Sequence, residues 1–339
     1  MDPIFSEDDL IQSSDYAQVM SSVVIPWLES KQQVTTVSGF GDVPLYCVSY
    51  VADQPLGTVF IVHGFTENAY KYAELIWSLL HQHFSVVIYD QRGHGRSWRS
   101  EGIPDASVTH VDHFSDYVND LDRICEFFRS RMTGPFFLFA HSMGGAVASL
   151  FLESHPDFFS AAVLSSPMIA PNLRGVPAPL ASVLGSIAGI FGKKKHKPFF
   201  MKTYAGPEDF STSCASDPVR FAWYDAVKAS RREFQNSVPS YQWSLESMNV
   251  TKKILAPGEP EKISCPLLLF TAETDDSVLP GPQKALIQRI PNGKQTLVRN
   301  ARHEIFRSTN DVLFPWWKEV LTFYRIHCGK TCTEGGVKV

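Results

Sequence analysis

The chain has 339 residues, 44% of them apolar, and a formal net charge of −4. That is enough apolar material for a large core plus an insertion, and it lacks the bias of a disordered or fibrous chain. The balance of charge, with no basic or aromatic nucleic-acid motif, gives no reason to expect nucleic acid as a partner.

The first residues are acidic, with Asp2, Glu7, Asp8 and Asp9 and no positive region ahead of a long apolar run, which is not the pattern of a secretory signal. No stretch reaches the roughly 18 apolar residues of a membrane span. A cytoplasmic chain is expected, with peripheral contact at the inner face of a membrane as an option. Residues 1–32 read as an N-terminal extension. Val34 to Ser38 and Leu45 to Val51 then predict an antiparallel pair, and Thr58 to Val62 and Ser85 to Tyr89 the first parallel core strands. Between Phe114 and Phe128 apolar residues recur at helical spacing, which predicts a helix over 113–131 with Asp112 as its N-cap. That placement gives His110 and His113 a loop role in preference to a metal-binding one.

Next comes an apolar strand, Phe136 to Phe139, driven into Ala140-His141-Ser142-Met143-Gly144 and then a helical pattern. So sharp a turn strains the central backbone and holds the Ser142 oxygen clear of the sheet, where a base and a substrate can reach it. The positions two before and two after the serine must be nearly bare, and Ala140 and Gly144 are. Ser142 is the candidate nucleophile.

Later strand ends supply candidates for its partners. After Leu267 to Phe270 the loop carries Glu273, Asp275 and Asp276, and after Gln295 to Val298 it carries His303. Asp275 is preferred to Asp276 because it stands three before Val278, where the chain re-enters apolar packing. His303 is preferred to His327, which falls at the end of a helical pattern. The order Ser, Asp, His is the one expected when such a triad sits on an α/β-hydrolase sheet. The backbone N–H groups of Met143 and Phe65 are the expected oxyanion donors, with Gly64 allowing the turn and His63 holding its loop.

These residues resemble the serine hydrolases of the α/β-hydrolase fold, and among them the bacterial lysophospholipase and monoacylglycerol lipase group. The resemblance runs from about residue 34 to 327. It includes His63-Gly64 with Glu67, Lys71-Tyr72-Ala73-Glu74-Leu75, Asp90 to Ser97, Tyr241-Gln242-Trp243 and His303-Glu304-Ile305. It implies a mostly parallel, doubly covered sheet with an inserted, mainly helical cap, and cleavage of the carboxylic ester of a single-chain lipid through an acyl-enzyme on Ser142. A small-ester or thioester hydrolase and a lipid transacylase share that intermediate, and a non-catalytic relative would have lost a triad residue.

The alternation of strands and helices breaks between about 168 and 259. The expected organisation is a hydrolase core in two parts, 33–167 and 260–328, a cap over 168–259, and a tail over 329–339. Within the cap, Leu180, Val183, Leu184, Ile187, Ile190 and Phe191 precede Lys193, Lys194, Lys195 and Lys197, a combination suited to an anionic lipid surface or to a helix packed on the core with a solvated basic loop after it. The six cysteines form no C-x-x-C pair and no zinc pattern, so neither a metal nor a cofactor is expected.

Overall fold

The computed structural model describes residues 5–173, 175 and 178–329. The expected tail beyond Gly329, the acidic Asp2, and the side chains of Leu180 and Leu184 lie outside the described residues. Two short helices, α1 (Tyr16–Val19) and α2 (Ile25–Lys31), are joined by one wide π-type stretch over Met20–Val24. There follow β1 (Gln33–Ser38), β2 (Pro44–Tyr50), β3 (Gly57–Val62), α3 (Ala73–His81), β4 (Phe84–Tyr89) and β5 (Val108–Thr109). Next are α4 (Ser115–Arg129), β6 (Phe136–His141), α5 (Met143–Ser154) and β7 (Ala161–Ser165). The chain then runs through α6 (Ala178–Ile190), α7 (Pro218–Ser230), β8 (Val238–Pro239) and α8 (Tyr241–Ile254). It ends with β9 (Leu267–Ala272), α9 (Pro280–Ile287), β10 (Gly293–Val298) and α10 (Asn310–Ile326).

Eight strands form one sheet in the order β1-β2-β4-β3-β6-β7-β9-β10. β2 is antiparallel to both of its neighbours, with Val37 opposite Leu45 and Cys47 opposite Tyr89, and from β4 onward every pairing is parallel. The strands β3, β4 and β7 are buried at every residue, which is why they read as unbroken apolar runs and not as alternations. One face carries Leu79 of α3 and Tyr324 of α10 in a core that also takes Phe5, Tyr16, Met20 and Leu28. The other carries Leu121, Val147, Val250 and Leu286 from α4, α5, α8 and α9.

The expected strands are all present, most of them extended by one or two residues. A two-residue parallel pair, β5 with β8, was too short to leave a period in the sequence. The capping role expected of Asp112 is not what forms. α4 begins at Ser115, Asp112 bonds the His110 ring at 3.2 Å, and the Phe114 N–H donates to Glu246 of α8 at 2.8 Å. A carboxylate 132 residues away takes the place that a local side chain was expected to fill.

Arg220 of α7 is fully buried and reaches Glu74 of α3 and Asp217, each at 2.7 Å, and the Ile11 carbonyl at 3.2 Å. Ser13 donates to Asp217 and Tyr16 to Glu74. The segment from Ile11 to Tyr16 therefore helps to join α7 to the body of the molecule. Among the described residues no helix is long and apolar enough to cross a membrane.

Candidate active site

Ser142 stands between β6 and α5 at φ 51° and ψ −118°, a region that non-glycine residues rarely occupy and that costs of order 1–3 kcal/mol. The neighbours show why the turn is so sharp. A Cβ on Gly144 would lie 2.1 Å from the Val62 carbonyl oxygen, and one on Gly145 would lie 2.4 Å from the Pro167 side chain. Only bare positions let α5 start this close to β3.

The structure brings the three residues expected from the sequence together. Asp275 follows β9, His303 follows β10, and the Thr274 N–H and hydroxyl both bond the Ala301 carbonyl, holding the two loops side by side. His303 Nδ1 lies 2.7 Å from Asp275 Oδ2 and its Nε2 2.8 Å from Ser142 Oγ. A carboxylate only accepts, so Nδ1 carries the ring proton and Nε2 is left to accept the serine hydroxyl proton. The other Asp275 oxygen accepts the Ser277 and Val278 N–H groups at 2.9 and 3.1 Å. Asp276 is exposed and bonds the Ser277 hydroxyl at 3.3 Å.

Ser142 is 8% and His303 5% exposed, so the charges here are set by partners and not by water. Burial works against the charged imidazolium, yet the hydrogen bond and charge of Asp275 outweigh it and raise the His303 pKa above its ordinary value. Burial likewise opposes ionisation of Asp275, and the His303 bond with the two amides holds its carboxyl below the ordinary value.

Met143 opens α5, so its N–H is among the helix's first donors, at the positive end of the helix dipole. Phe65 follows Gly64 after β3. His63 accepts the Gln91 N–H at Nε2 and bonds the Gly64 carbonyl through Nδ1, so both ring nitrogens are spent on the loop. His110 is tied to Ser240 and Asp112. Among the described residues there is no group of three His, Cys, Asp or Glu side chains that could hold a metal ion.

The sequence reading missed a buried charge network directly beside these residues. Lys71 Nζ lies 2.9 Å from Glu67 and 2.5 Å from Glu304, and Arg307 pairs with the other Glu304 oxygen at 2.6 Å. Glu67 Oε2 also accepts the Gly64 N–H and the Tyr72 hydroxyl, each at 2.6 Å. Burial alone would raise both carboxyls; Lys71 is the largest influence against it in each, and both are held below the ordinary range. His141, whose ring is 4.8 Å from that of His303, is pushed down to about 4 by burial and is neutral. The signal was present in Glu67 and Glu304, one near Gly64 and one next to His303, but no pattern reveals that a single lysine joins positions 237 residues apart.

Residues from the 168–259 segment border the site. The Trp243 ring of α8 packs on the Phe65 ring, the Cys214 carbonyl accepts the Glu304 N–H, and Ser216 accepts the Arg302 N–H. Of the aromatics in that segment, Trp223 packs on Tyr16 and Tyr70, while Phe199 and Phe200 are exposed.

Comparison with known proteins places the chain in a family. The family model Hydrolase_4, described as serine aminopeptidase S33, matches residues 53–310. Lysophospholipase L2 of Escherichia coli (strain K12) is 29% identical over 292 residues, covering 79% of this chain and 80% of that one. Monoglyceride lipase of Homo sapiens is 32% identical over 119 residues, 35% of this chain and 37% of its own. The crystal structure of Paleococcus ferrophilus monoacylglycerol lipase superposes with a TM-score of 0.62 at 22% identity, over 83% of this chain and 99% of that one, which shows the shared α/β-hydrolase fold. With three quarters of its length inside the family model and a sheet of this order, the chain belongs to the serine aminopeptidase S33 family of α/β-hydrolases.

Proposed function

We propose that this protein is a carboxylic ester hydrolase that releases fatty acid from a single-chain lipid, a lysophospholipid or a monoacylglycerol, through an acyl-enzyme on Ser142. The observation that carries the chemistry is the continuous hydrogen-bonded relay from Asp275 through His303 to Ser142. The lipid substrate rests on the similarity to lysophospholipase L2 over most of both chains, and to monoglyceride lipase over a shorter stretch.

In this mechanism His303 Nε2 takes the Ser142 proton as Oγ attacks the ester carbonyl carbon. Asp275 keeps the imidazole in the required tautomer and stabilises its charged form. The N–H groups of Met143 and Phe65 receive the oxyanion of the tetrahedral intermediate. On collapse the C–O bond breaks, and the leaving alkoxide takes the proton back from His303. Water, deprotonated by the same nitrogen, then releases the acid and restores the serine.

Residues 168–259 form the cap of this enzyme in our reading, supported by the contacts of Trp243, Cys214 and Ser216 with the site's loops. Its α6 end meets an anionic membrane. Ile190 and Phe191 are 82% and 73% exposed, Phe199 is 79% exposed, and Lys193 and Lys194 stand beside them in solvent. Lys195 and Lys197 donate to the carbonyls of Glu101 and Met201 and keep their charge, so all four lysines add to the attraction, Lys193 and Lys194 from the more exposed positions. Replacing Lys193 and Lys194 with Gln is expected to weaken sedimentation with anionic vesicles in a salt-dependent way; unchanged binding removes the membrane role.

The test of the activity is fatty-acid release from matched lysophospholipid, monoacylglycerol, diacyl phospholipid and short soluble ester, with Ser142→Ala as the blank. Release from single-chain lipids alone supports the reading, and release from short esters alone overturns the substrate. The family's description is of peptidases, and an amide forms the same acyl-enzyme, so an aminoacyl amide belongs in the panel. Turnover retained by Ser142→Ala removes the nucleophile.

A further inference from the structure

Lys71 is an unusual cation for its setting. It is nearly wholly buried, it lies on neither the strand nor the helix that carries a triad residue, and it spends its ammonium on two carboxylates from opposite sides of the site. Glu67 belongs to the loop after β3, and its second oxygen binds the Gly64 N–H, immediately before Phe65. Glu304 is the residue immediately after His303. Arg307 fixes the far oxygen of Glu304 and donates to the Arg220 carbonyl of α7 at 2.8 Å. The surroundings leave no slack: a Cβ on Gly64 would lie 2.8 Å from Glu67 and 3.0 Å from the His141 ring.

Two acids and two bases leave the cluster without net charge. Burial lowers the His303 pKa and Asp275 raises it most; Glu304 and Glu67 add to that rise, and beside this electrostatic effect the cluster makes a geometric contribution. Ester cleavage by this site needs two loops in register. One presents a donor to the carbonyl oxygen, and the other presents the imidazole to the serine. They come from β3 and from the end of the sheet after β10, and no strand pairing joins them directly. The hydrogen-bonded, charged contact that spans them among the described side chains is the Glu67–Lys71–Glu304 bridge, beside the stacking of Tyr72 on Phe306. We propose that Lys71 is a positioning residue that sets the Phe65 amide relative to His303, so that the oxyanion donor and the base act on one carbonyl group. This rests on the assignment of Ser142, His303 and the Phe65 amide to that reaction.

Removing Lys71 alone would strand two buried carboxylates, which is destabilising whatever its role. The informative variants keep the charge balanced: Lys71→Met with Glu304→Gln, and Lys71→Met with Glu67→Gln. Both open the bridge at constant net charge; the Glu67→Gln variant leaves Glu304 paired with Arg307 and is the cleaner of the two, whereas the Glu304→Gln variant leaves Glu67 with only the Gly64 N–H and the Tyr72 hydroxyl. Steady-state kinetics on the best substrate, taken well below each variant's melting temperature, should show kcat reduced by about tenfold to a hundredfold with KM changed by less than about threefold, the scale expected of misplaced catalytic groups. Lys71→Arg, which retains a cation able to reach both carboxylates, should restore most of kcat. A lysine that only stabilises the fold would lower the melting temperature and leave kcat at its wild-type value, and that result overturns the proposal. If both double variants fail to fold, Tyr72→Phe frees one of the Glu67 bonds at constant charge; a severalfold loss in kcat supports the bridge, and an unchanged kcat overturns it. Ser142→Ala measured in parallel separates the two levels of inference. Activity in that variant sinks the triad assignment itself, whereas an inactive Ser142→Ala beside fully active bridge variants sinks only the role of Lys71.

Discussion

The indole of Trp243 lies 4.0 Å, centroid to centroid, from the phenyl ring of Phe65, tilted by 35°. One belongs to α8, the other to the loop proposed to bind the oxyanion, so this contact couples the segment over the site to the chemistry beneath it. Trp243→Ala is expected to cost about 3–5 kcal/mol by urea titration, as truncation of a buried indole does. It should also lower kcat in the folded protein. Trp243→Phe keeps an aromatic partner for Phe65 and should retain most of both.

The triad's acid can be decided by two conservative changes. Asp275→Asn removes the acceptor of the His303 Nδ1 proton and is expected to reduce kcat by about 10⁴-fold, with the protein still folded by circular dichroism. Asp276→Asn changes an exposed side chain and should stay within a few fold of wild type. The opposite ranking would move the acid by one residue.

A pH profile reads the electrostatics directly. Catalysis requires neutral His303, and Asp275 raises the His303 pKa above the ordinary value of about 6.5. The acid limb of kcat/KM should therefore fall at higher pH than an unperturbed histidine would give. Linkage has the corresponding sign. The stability contributed by His303 is complete below the ordinary imidazole value and is lost as pH rises through its raised one. That contributed by Asp275 is complete above the ordinary carboxylate value and is lost as pH falls through its lowered one. An acid limb at or below pH 6.5 would contradict the pairing.

Gly144→Ala tests the packing beneath the nucleophile. A methyl group there meets a main-chain carbonyl at 2.1 Å, and backbone cannot swing aside as a side chain can. The expected result is a loss of about 1–3 kcal/mol or more, with activity falling because α5 and Met143 must retreat from β3. Wild-type stability would show that the turn tolerates a wider approach.

What the sequence made legible was whatever is local. Ser142, Asp275 and His303 each sit just past an apolar strand, so period and punctuation find them in turn, and their chain order names the sheet. The buried strands read as continuous runs because both faces are covered. The features that escaped are those whose partners are far away. Asp112 looked like a helix cap because nothing nearby reveals Glu246. Lys71 stood in the sequence only as part of a family-like segment, with no partner to suggest a role, since its second carboxylate is 233 residues distant. Arg220, with Glu74 and Ile11 as partners, is invisible for the same reason. Periodicity records which face of an element is buried, and it carries no information on which charges meet there.

The dependence of Arg220 on the Ile11 carbonyl bears on how this enzyme should be handled at the bench. The family model begins at residue 53, and that boundary invites a trimmed catalytic fragment. Such a cut would remove Tyr16 from Glu74 and Ser13 from Asp217, uncover the apolar surface now sealed by Met20, Val24 and Leu28, and open one side of a guanidinium to solvent. The homology boundary and the folding boundary are different places in this protein, and the shortest unit worth expressing starts ahead of Ile11.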